Sequence, residues 1–399
     1  MNILIIYNIK SKKSNRSTVM DSIFCFKDYE DKHFYYYNYK GNYYINKMLK
    51  LFKFDAVLFH YTFMGIRWDN KKWKSIINDF KDCWTESVKG IIPQDEYYKT
   101  NSIRKFIKSA KINIIYTLAS GKDIYKLYGD FIDTTSIYTV LTGYVNNKTV
   151  IKVQNELKKY KTNHRKYAIG YRARELNFSL GQHATLKTKL VDDVNKRLEN
   201  YLINTNIMNT TYDDKNVFWG WDWYKFLLDC DTTLGCKGGA SILDEDGKIE
   251  SMVNLYIKKH PGADFKEVSS ELLKPYENGI NYTSISPRIF ECAMTKTCQI
   301  LLEDDYRIIR PGIHYINLKR DFSNFDEVVK KVQNKKYCAQ IAENAYKELI
   351  VSGKYSYEKY VKRIMDTIEK NKKFNVYNKR KQWWIVLLLK IYNLFIINF

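Results

Sequence analysis

Short apolar runs and amphipathic stretches alternate along the chain, and this alternation predicts its architecture. In the first 145 residues, apolar runs typical of buried strands are separated by stretches with helical periodicity. The predicted strands are residues 3–7, 56–60, 88–92 and 112–118, and the predicted helices lie near residues 43–52, 71–83 and 102–110. Strands that alternate with helices form a parallel sheet covered on both faces, so this pattern predicts an α/β domain.

A second series of the same kind begins beyond a polar, basic stretch at residues 146–166, which we interpret as a link between two domains. The strands of this series are predicted at residues 167–171, 232–234, 299–302 and 315–318, and residues 336–370 are predicted to form one or two long helices. We therefore predict an α/β protein with two Rossmann-like domains facing each other across a cleft. The predicted boundaries are 1–150 for the N-terminal domain, 160–370 for the C-terminal domain and 376–399 for a basic, hydrophobic tail.

Composition excludes several classes of protein. Of the 399 residues, 45% are hydrophobic and 16% aromatic, which is enough apolar surface for a folded core. Only 5 Pro and 17 Gly exclude collagen-like and low-complexity structure, and 7 scattered Cys without a C-x-x-C pair favour a reducing compartment. The formal net charge of +22 is compatible with nucleic acid, an anionic membrane or a phosphorylated substrate as partner, and equally with a biased composition.

The two ends of the chain predict where the protein resides. The first residues, MNILIIYN, lack the basic start of a secretory signal, and their apolar run is too short for one, so we expect a cytoplasmic protein. At the other end, Lys379, Arg380 and Lys381 precede the apolar run 383–399. Basic residues, a Trp pair and an apolar face favour a helix in the interface of the inner leaflet of the cytoplasmic membrane. The alternative is a terminal helix docked on the protein's own core.

Candidate ligand-binding residues follow the predicted strands of the second domain, because open parallel sheets bind ligands beyond the carboxyl ends of their strands. Arg172, Arg174 and Lys187 offer the guanidinium and ammonium groups that a diphosphate requires. The alternative for these three is a solvated basic loop. Aspartates at positions 229 and 231 are compatible with a divalent metal, but the sequence offers no second cluster of hard ligands, so no metal site is predicted.

Two further segments of this domain carry candidate residues. Gly238 and Gly239 permit a ligand to approach the backbone, and Ser241 can donate a hydrogen bond to a phosphate, although a plain glycine turn has the same pattern. In the segment ISPRIFECAMTKTCQILLEDD, Ser286 is a good N-cap for a short helix that carries Arg288 and Glu291. A carboxylate at position 291 can accept hydrogen bonds from the hydroxyls of a ribose, and the alternative is a glutamate favoured by the helix dipole.

The N-terminal domain supplies candidates for a general base. Asp95 and Glu96 follow the strand predicted at residues 88–92, and His60 ends the strand predicted at residues 56–60. A carboxylate or imidazole at the end of a strand can bind sugar hydroxyls or accept a proton. Loop polarity, helix capping and a structural histidine are the alternatives. The usual glycine-rich nucleotide motifs are absent: there is no Walker A loop, and no G-x-G-x-x-G follows the first strand.

The segment SPRIFE followed by CAMTKTCQILLE resembles the donor-domain motif of GT-B fold glycosyltransferases. Together with YRARELNFSLG, LGCKGGASILDEDG, QDEYY and LTGYV, it resembles a bacterial surface-polysaccharide or lipopolysaccharide glycosyltransferase with a family 1-type C-terminal domain. The resemblance implies a GT-B fold and transfer of a sugar from a nucleotide sugar to a glycan or lipid-linked acceptor. It implies no cofactor beyond that substrate and no metal, because positive side chains replace it.

The resemblance also implies a role for each matching residue. Glu291 would bind the donor ribose, while Arg172, Arg174 and Lys187 would neutralise the diphosphate. Ser286, Arg288 and the loop of Gly238, Gly239 and Ser241 would line the donor pocket.

Two departures from the family pattern leave the mechanism open. Thr283 stands where retaining enzymes have a first glutamate, and Lys237 stands where an acidic residue is expected. An inverting enzyme would need a general base, for which His60, Asp95 and Glu96 are the candidates. A degenerate, non-catalytic glycosyltransferase that serves as a scaffold is one alternative. A basic nucleic-acid-binding protein is the other, but no nucleic-acid motif supports it, so no nucleic-acid partner is expected.

Overall fold

The computed structural model describes residues 1–10, 16–27, 29, 32–159, 165–211, 215–372 and 383–397, except for the side chains of 393–397. Two parallel β-sheets, each flanked by helices, make up most of the structure. The sequence prediction of an α/β fold with two Rossmann-like domains is confirmed.

The first sheet contains six parallel strands in the order β2-β1-β3-β4-β5-β6. Its central strands are almost completely buried, which explains why they read as continuous apolar runs. The four predicted strands are all present, and the sequence analysis missed β2 and β6, whose runs mix aromatic and polar residues. The strands are β1 (Asn2–Tyr7), β2 (His33–Asn38), β3 (Ala56–Phe59), β4 (Val88–Ile91), β5 (Ile114–Thr117) and β6 (Ser136–Thr139).

The helices of this half of the chain include all three that the sequence predicts, and all of them except α7 belong to the first domain. They are α1 (Ser17–Phe24), α2 (Tyr43–Lys50), α3 (Tyr61–Met64), α4 (Asn70–Phe80), α5 (Thr100–Ala110), α6 (Lys122–Tyr128) and α7 (Asn147–Leu157).

The second sheet contains five parallel strands in the order β13-β12-β9-β7-β8. Counted along the chain, both sheets have the doubly wound order 2-1-3-4-5, and the first sheet has one strand more. A separate antiparallel pair, β10 and β11, lies outside the second sheet. The strands are β7 (Tyr167–Arg174), β8 (Thr205–Thr210), β9 (Cys230–Gly235), β10 (Gly238–Ala240), β11 (Tyr282–Ser284), β12 (Cys298–Leu302) and β13 (Ile316–Leu318).

The remaining helices follow in chain order. They are α8 (Gln182–Leu198), α9 (Trp221–Leu228), α10 (Lys248–Lys259), α11 (Phe265–Val268), α12 (Arg288–Met294), α13 (Phe325–Gln333), α14 (Lys335–Tyr346), α15 (Tyr357–Lys370) and α16 (Trp383–Ile397).

Two helices lie elsewhere in the fold than the sequence analysis places them. Helix α7, in the stretch interpreted as a link, packs through Val153 into the core around α12 of the second domain. Helix α15 was predicted as part of the second domain, but Val361 and Ile364 are buried in the core of the first sheet. The chain therefore crosses between the two domains twice, and each domain holds a helix contributed by the other half of the sequence.

The tail helix α16 docks on the edge strand of the first sheet. Ile385 and Leu389 are buried in the core of the first sheet, and the Tyr392 ring lies 5.5 Å from the ring of Tyr37 in β2. One face of the tail is thus bound to the protein's own core, which was the alternative in the sequence analysis. The basic residues 379–381 lie outside the described part of the chain. Among the helices that the structure describes, none has the length and apolarity needed to cross a membrane.

Candidate active site

A cavity of about 230 Å³ lies between the two domains. Its walls come from the start of α1 in the first domain and from the end of β7, α8, the segment before α9, and α12 in the second. The lining side chains that the argument uses are Arg16, Arg174, Lys187, Trp223, Arg288 and Glu291. The cavity thus brings together side chains that are more than 270 residues apart in the sequence.

Glu291 is the carboxylate of this cavity. It is buried in α12, and its Oε2 accepts a hydrogen bond of 2.7 Å from Trp223 Nε1 at the start of α9. Burial raises the pKa of the Glu291 carboxyl, while the Trp223 hydrogen bond and the Arg288 charge oppose that rise. Glu291 therefore sits where a hydroxyl-rich ligand in the cavity can meet it.

The N-terminus of α12 differs in detail from the sequence expectation. Pro287 occupies the cap position, and Ser286 Oγ accepts a hydrogen bond of 3.3 Å from the backbone N of Arg288. Arg288 donates through Nη2 to the carbonyl of Arg172 at 3.0 Å, and its guanidinium lies about 5 Å from the ring centres of Tyr171 and Trp223. These contacts hold Arg288 at the wall of the cavity.

Lys187 brings a second kind of cation to the cavity, from the first turns of α8. Burial lowers the pKa of its ammonium, and the nearby charges of Arg288, Arg16 and Arg174 lower it further. Gly238 lies close to this side chain, because a Cβ at that position would be in van der Waals contact with Lys187 Nζ, at 3.4 Å. Arg16, Arg174, Lys187 and Arg288 thus line one cavity, and an anion bound there would be stabilised by their positive charges.

Arg172 has a different position from Arg174. Its guanidinium donates to the carbonyls of Tyr171 and Asn206 at 2.9 and 2.8 Å and to Asn206 Oδ1 at 2.8 Å, and it stacks on the Phe226 ring. These bonds tie β7 to β8. Arg172 also lines the cavity, but its guanidinium donors are used within the protein, so it supports the edge of the sheet and is less available to a diphosphate than we expected.

The glycine loop mostly lies outside the cavity. Gly238 and Gly239 belong to β10, and Gly239 has a φ of +149° and lies so close to the Tyr282 carbonyl that a Cβ would overlap it. Ser241 Oγ accepts a hydrogen bond of 3.0 Å from the backbone N of Gln182 and does not line the cavity. Of the three residues predicted here, only Gly238 approaches the cations.

Glu96 is enclosed between the domains. It has no solvent exposure, and burial raises the pKa of its carboxyl. It accepts hydrogen bonds from Leu118 N at 3.0 Å, Tyr128 OH at 2.6 Å, Tyr282 OH at 2.7 Å and Thr117 Oγ1. Because Tyr282 belongs to β11 of the second domain, Glu96 joins the two domains and has no path to a substrate, contrary to the base role that we predicted.

His60 is also enclosed. Its Nε2 lies 3.1 Å from Ser22 Oγ and its Nδ1 lies 3.0 Å from Thr62 Oγ1, and it caps α3 by accepting from Thr62 N. Burial lowers the pKa of the imidazole to about 3, so it is neutral at physiological pH. This geometry makes His60 a structural residue and not the base that we predicted.

Asp95 is the base candidate that reaches a cavity. It lines a second cavity of about 1010 Å³ in the first domain, at the carboxyl ends of β1 and β3. That is the switch point of a sheet with this strand order, where a ligand is expected. Asp95 has a left-handed backbone with a φ of +48°, and its Oδ1 accepts a hydrogen bond of 3.1 Å from Tyr97 OH.

The sequence analysis did not identify two residues that line the cavity, Arg16 and Trp223. Arg16 follows β1 within the basic run KSKKSNR, so its position beyond a strand was the signal that could have identified it. Trp223 was interpreted as packing around a helix start, and only the fold shows that its indole N–H meets Glu291.

The departure at Lys237 has a physical context. Lys237 forms an ion pair of 2.9 Å with Asp304, so this cation is neutralised within the second domain. Asp231 pairs with Lys335. In the part of the chain that the structure describes, no group of three or more His, Cys, Asp or Glu side chains is arranged to hold a metal ion.

Comparison with known proteins gives structural matches only. No protein-family model matches the chain, and no curated protein sequence does. Solved structures that match include HepE of Anabaena in complex with UDP-glucose, with 10% identity over 93% of this chain and 100% of that one and a TM-score of 0.46. A glycosyltransferase from Rickettsia africae has 12% identity, coverages of 94% and 99%, and a TM-score of 0.43. Sucrose-phosphate synthase from Thermosynechococcus elongatus has 8% identity, coverages of 93% and 98%, and a TM-score of 0.42. At these identities and TM-scores the likeness carries no argument of its own, so a function has to be inferred from the site.

Proposed function

We propose that this protein is a glycosyltransferase that moves a sugar from a nucleotide-diphosphate sugar to an acceptor. The observation that carries the proposal is the interdomain cavity, whose walls hold Arg16, Arg174, Lys187 and Arg288 together with the carboxylate of Glu291. In glycosyl transfer, negative charge develops on the diphosphate as it leaves the anomeric carbon. Cations fixed at that position stabilise the transition state without a metal ion.

The remaining residues of the cavity suit the rest of such a donor. Glu291 accepts hydrogen bonds from the ribose hydroxyls, and the Trp223 indole that donates to its other oxygen keeps the carboxylate oriented. The resemblance of SPRIFE to the glycosyltransferase donor motif supports the same assignment. In our proposal the donor therefore contacts mainly the second domain, and Arg16 contacts it from the first.

The acceptor in this proposal occupies the larger cavity of the first domain. An acceptor hydroxyl oxygen forms the new bond to the anomeric carbon as the bond to the diphosphate oxygen breaks. In an inverting reaction Asp95 would take the hydroxyl proton, since it is the candidate carboxylate that lines this cavity. We propose a glycan or lipid-linked acceptor of surface-polysaccharide assembly, and a position on the inner face of the cytoplasmic membrane. The exposed indoles of Trp383 and Trp384 on α16 support the membrane position.

A panel of nucleotide sugars tests the proposed activity. The purified protein is incubated with UDP-, GDP-, ADP-, dTDP- and CMP-sugars, and release of the nucleotide is measured with and without acceptor extracts. We expect turnover of one nucleotide class, and a loss of at least about 100-fold in Glu291→Ala and Arg174→Ala, as is typical when a group that binds the transition state is removed. Exposed Glu271→Ala is the matched control and should keep full activity.

Three outcomes would contradict the proposal in different ways. Full activity in both variants would show that the donor site is elsewhere. Binding of a nucleotide sugar without turnover would favour a non-catalytic scaffold. Salt-sensitive binding of nucleic acid in a filter assay, with no nucleotide-sugar turnover, would favour the nucleic-acid alternative.

A further inference from the structure

Helices α2 and α16 both contact the edge strand β2 of the first sheet. Both contact the same residue of the edge strand β2, because Asn46 Oδ1 of α2 accepts a hydrogen bond of 2.5 Å from Tyr37 OH and the Tyr392 ring of α16 lies 5.5 Å from the Tyr37 ring. Helix α1 covers the opposite face of this strand through Phe24, which packs on Tyr36 at 5.1 Å. The two helices therefore form a single layer over the edge of the sheet.

The inner side of this layer is already occupied. Leu49 of α2 and Ile385 and Leu389 of α16 are buried in the core of the first sheet. Each helix thus packs against the sheet through one apolar face. Apolar residues on the opposite face of either helix do not take part in this core.

The outer side of the layer nevertheless carries large apolar side chains. Trp384 is 77% exposed and Leu51, directly after α2, is 80% exposed. We name this surface the α2–α16 platform; its exposed apolar residues are Tyr43, Tyr44, Met48, Leu51, Trp383, Trp384, Leu387 and Ile391. Large exposed apolar side chains in this number, on two helices that dock on the same strand, indicate an interaction site.

The charge of the platform identifies its partner. Lys47 and Lys50 lie on α2 and Lys390 lies on α16, while Lys53, which follows α2, forms an exposed ion pair of 3.9 Å with Glu86. Neither residues 39–54 nor residues 373–399 contain an Asp or Glu. Exposed Trp and Tyr rings among lysines suit the interface of an anionic bilayer, where the rings reach the headgroup level and the ammonium groups meet the phosphates. A second copy of the chain would instead place lysines against lysines.

We propose that the α2–α16 platform binds the surface of an anionic lipid bilayer, with α2 as necessary as the tail. The inference rests on the proposed membrane partner and extends it, because the sequence pointed to the tail alone. Residues 39–41, which lead into α2, also line the larger cavity of the first domain. A bilayer bound to the platform therefore lies beside the mouth of that cavity, where a lipid-linked acceptor would enter.

Vesicle co-sedimentation tests this inference without any nucleotide sugar. The full chain is mixed with vesicles of phosphatidylcholine alone or with about one third phosphatidylglycerol, at low and high salt. We expect binding to the anionic vesicles that weakens in high salt, since the attraction between lysines and headgroups is screened. In Tyr43→Ser/Tyr44→Ser/Leu51→Ser, which leaves the tail intact, we expect at least a tenfold loss of partitioning.

The matched control variant is Tyr125→Ser/Ile151→Ser/Leu255→Ser, which changes three exposed apolar residues on α6, α7 and α10. It should bind vesicles as the wild type does. Circular dichroism and the thermal midpoint establish that both triple variants are folded.

Wild-type vesicle binding by the α2 variant would overturn the inference, and so would failure of the wild type to bind anionic vesicles. A concentration-dependent dimer that only the α2 variant loses would show that a second copy covers the platform. Failure of the donor panel leaves this result unaffected, so the two proposals fail separately.

Discussion

Two buried glutamates at the interface between the domains have opposite environments. Glu96 lies in a closed contact between the domains, which we name the seam, where it accepts hydrogen bonds from four donors, including Tyr282 of the other domain. Glu291 lies at the cavity, with a hydrogen bond from Trp223 and with cations around the space that it faces. Burial raises the pKa of both carboxyls, so burial and pKa alone do not distinguish a structural carboxylate from a candidate functional one.

The seam determines how the cavity is built. Beside Glu96, the backbone N of Lys99 donates to the Asp244 carbonyl at 2.7 Å, and the backbone N of Asp244 donates to the Tyr97 carbonyl at 2.8 Å. These contacts fix the segment between β9 and α12 against the first domain. The second domain is thereby held where its cations meet Arg16, which suggests that the seam provides stability and the cavity provides chemistry.

The largest effect that follows from this comparison is on stability, in Glu96→Ala. Removing the carboxylate leaves the buried hydroxyls of Thr117, Tyr128 and Tyr282 without their acceptor, and unsatisfied buried groups cost roughly 1–3 kcal/mol each. Since the hydroxyls can partly re-pair, we expect the free energy of unfolding to fall by about 3–4 kcal/mol in urea denaturation. Exposed Glu86→Ala is the control and should leave the midpoint unchanged. A wild-type midpoint in Glu96→Ala would show that the seam does not hold the domains together.

A smaller effect, on binding instead of stability, is expected in Lys187→Ala. Loss of a charge-assisted contact to a diphosphate should weaken binding of the cognate nucleoside diphosphate by about 10- to 100-fold in calorimetry. The pKa of this ammonium lies below its ordinary value of 10.5, so the wild-type affinity should fall as the pH rises toward that value. The variant should lack this part of the pH dependence. Lys189→Ala, an exposed lysine on the same helix, should behave as the wild type. Equal affinities in the two variants would remove Lys187 from the site.

The sequence predicts the fold well where burial is uniform. Strands β1, β3, β4 and β5 are covered on both faces, so their apolar runs are continuous and can be recognised without knowing the partner. Helix α15 shows the limit of this reasoning. Its apolar stripe indicates that one face is buried, but not that Ile364 joins the core of the first sheet, more than 200 residues from the end of β6. An amphipathic pattern specifies a face and not the surface that covers it.

Single residues of the candidate site show the same limit, because the sequence does not identify the distant residues that surround a side chain. Arg174 ends β7, Lys187 lies in the second turn of α8, and Arg288 and Glu291 lie in the first turn of α12. These positions near the carboxyl ends of the second sheet's strands explain why the four side chains line one cavity. The role of Glu96 could not be predicted, because Tyr282, which closes its environment, lies 186 residues away in β11. Asp95 and Glu96 are adjacent in sequence, yet one lines a cavity and the other has no solvent exposure.

The smallest of the three effects is expected in Tyr282→Phe. This variant is the sharpest test of whether the seam contributes to stability alone and the cavity to ligand binding. The substitution removes one of the four donors to Glu96 and keeps the ring, which packs against Tyr97 with centroids 5.1 Å apart. We expect a loss of about 1 kcal/mol in the free energy of unfolding, the typical contribution of one hydrogen bond, and no change in affinity for the nucleoside diphosphate. Tyr276→Phe, at an exposed tyrosine nearby in sequence, controls for the loss of a hydroxyl. If Tyr282→Phe weakened nucleotide binding as strongly as Lys187→Ala does, the seam would be part of the binding machinery, because a single hydroxyl in the interface would then control how the cations meet the ligand.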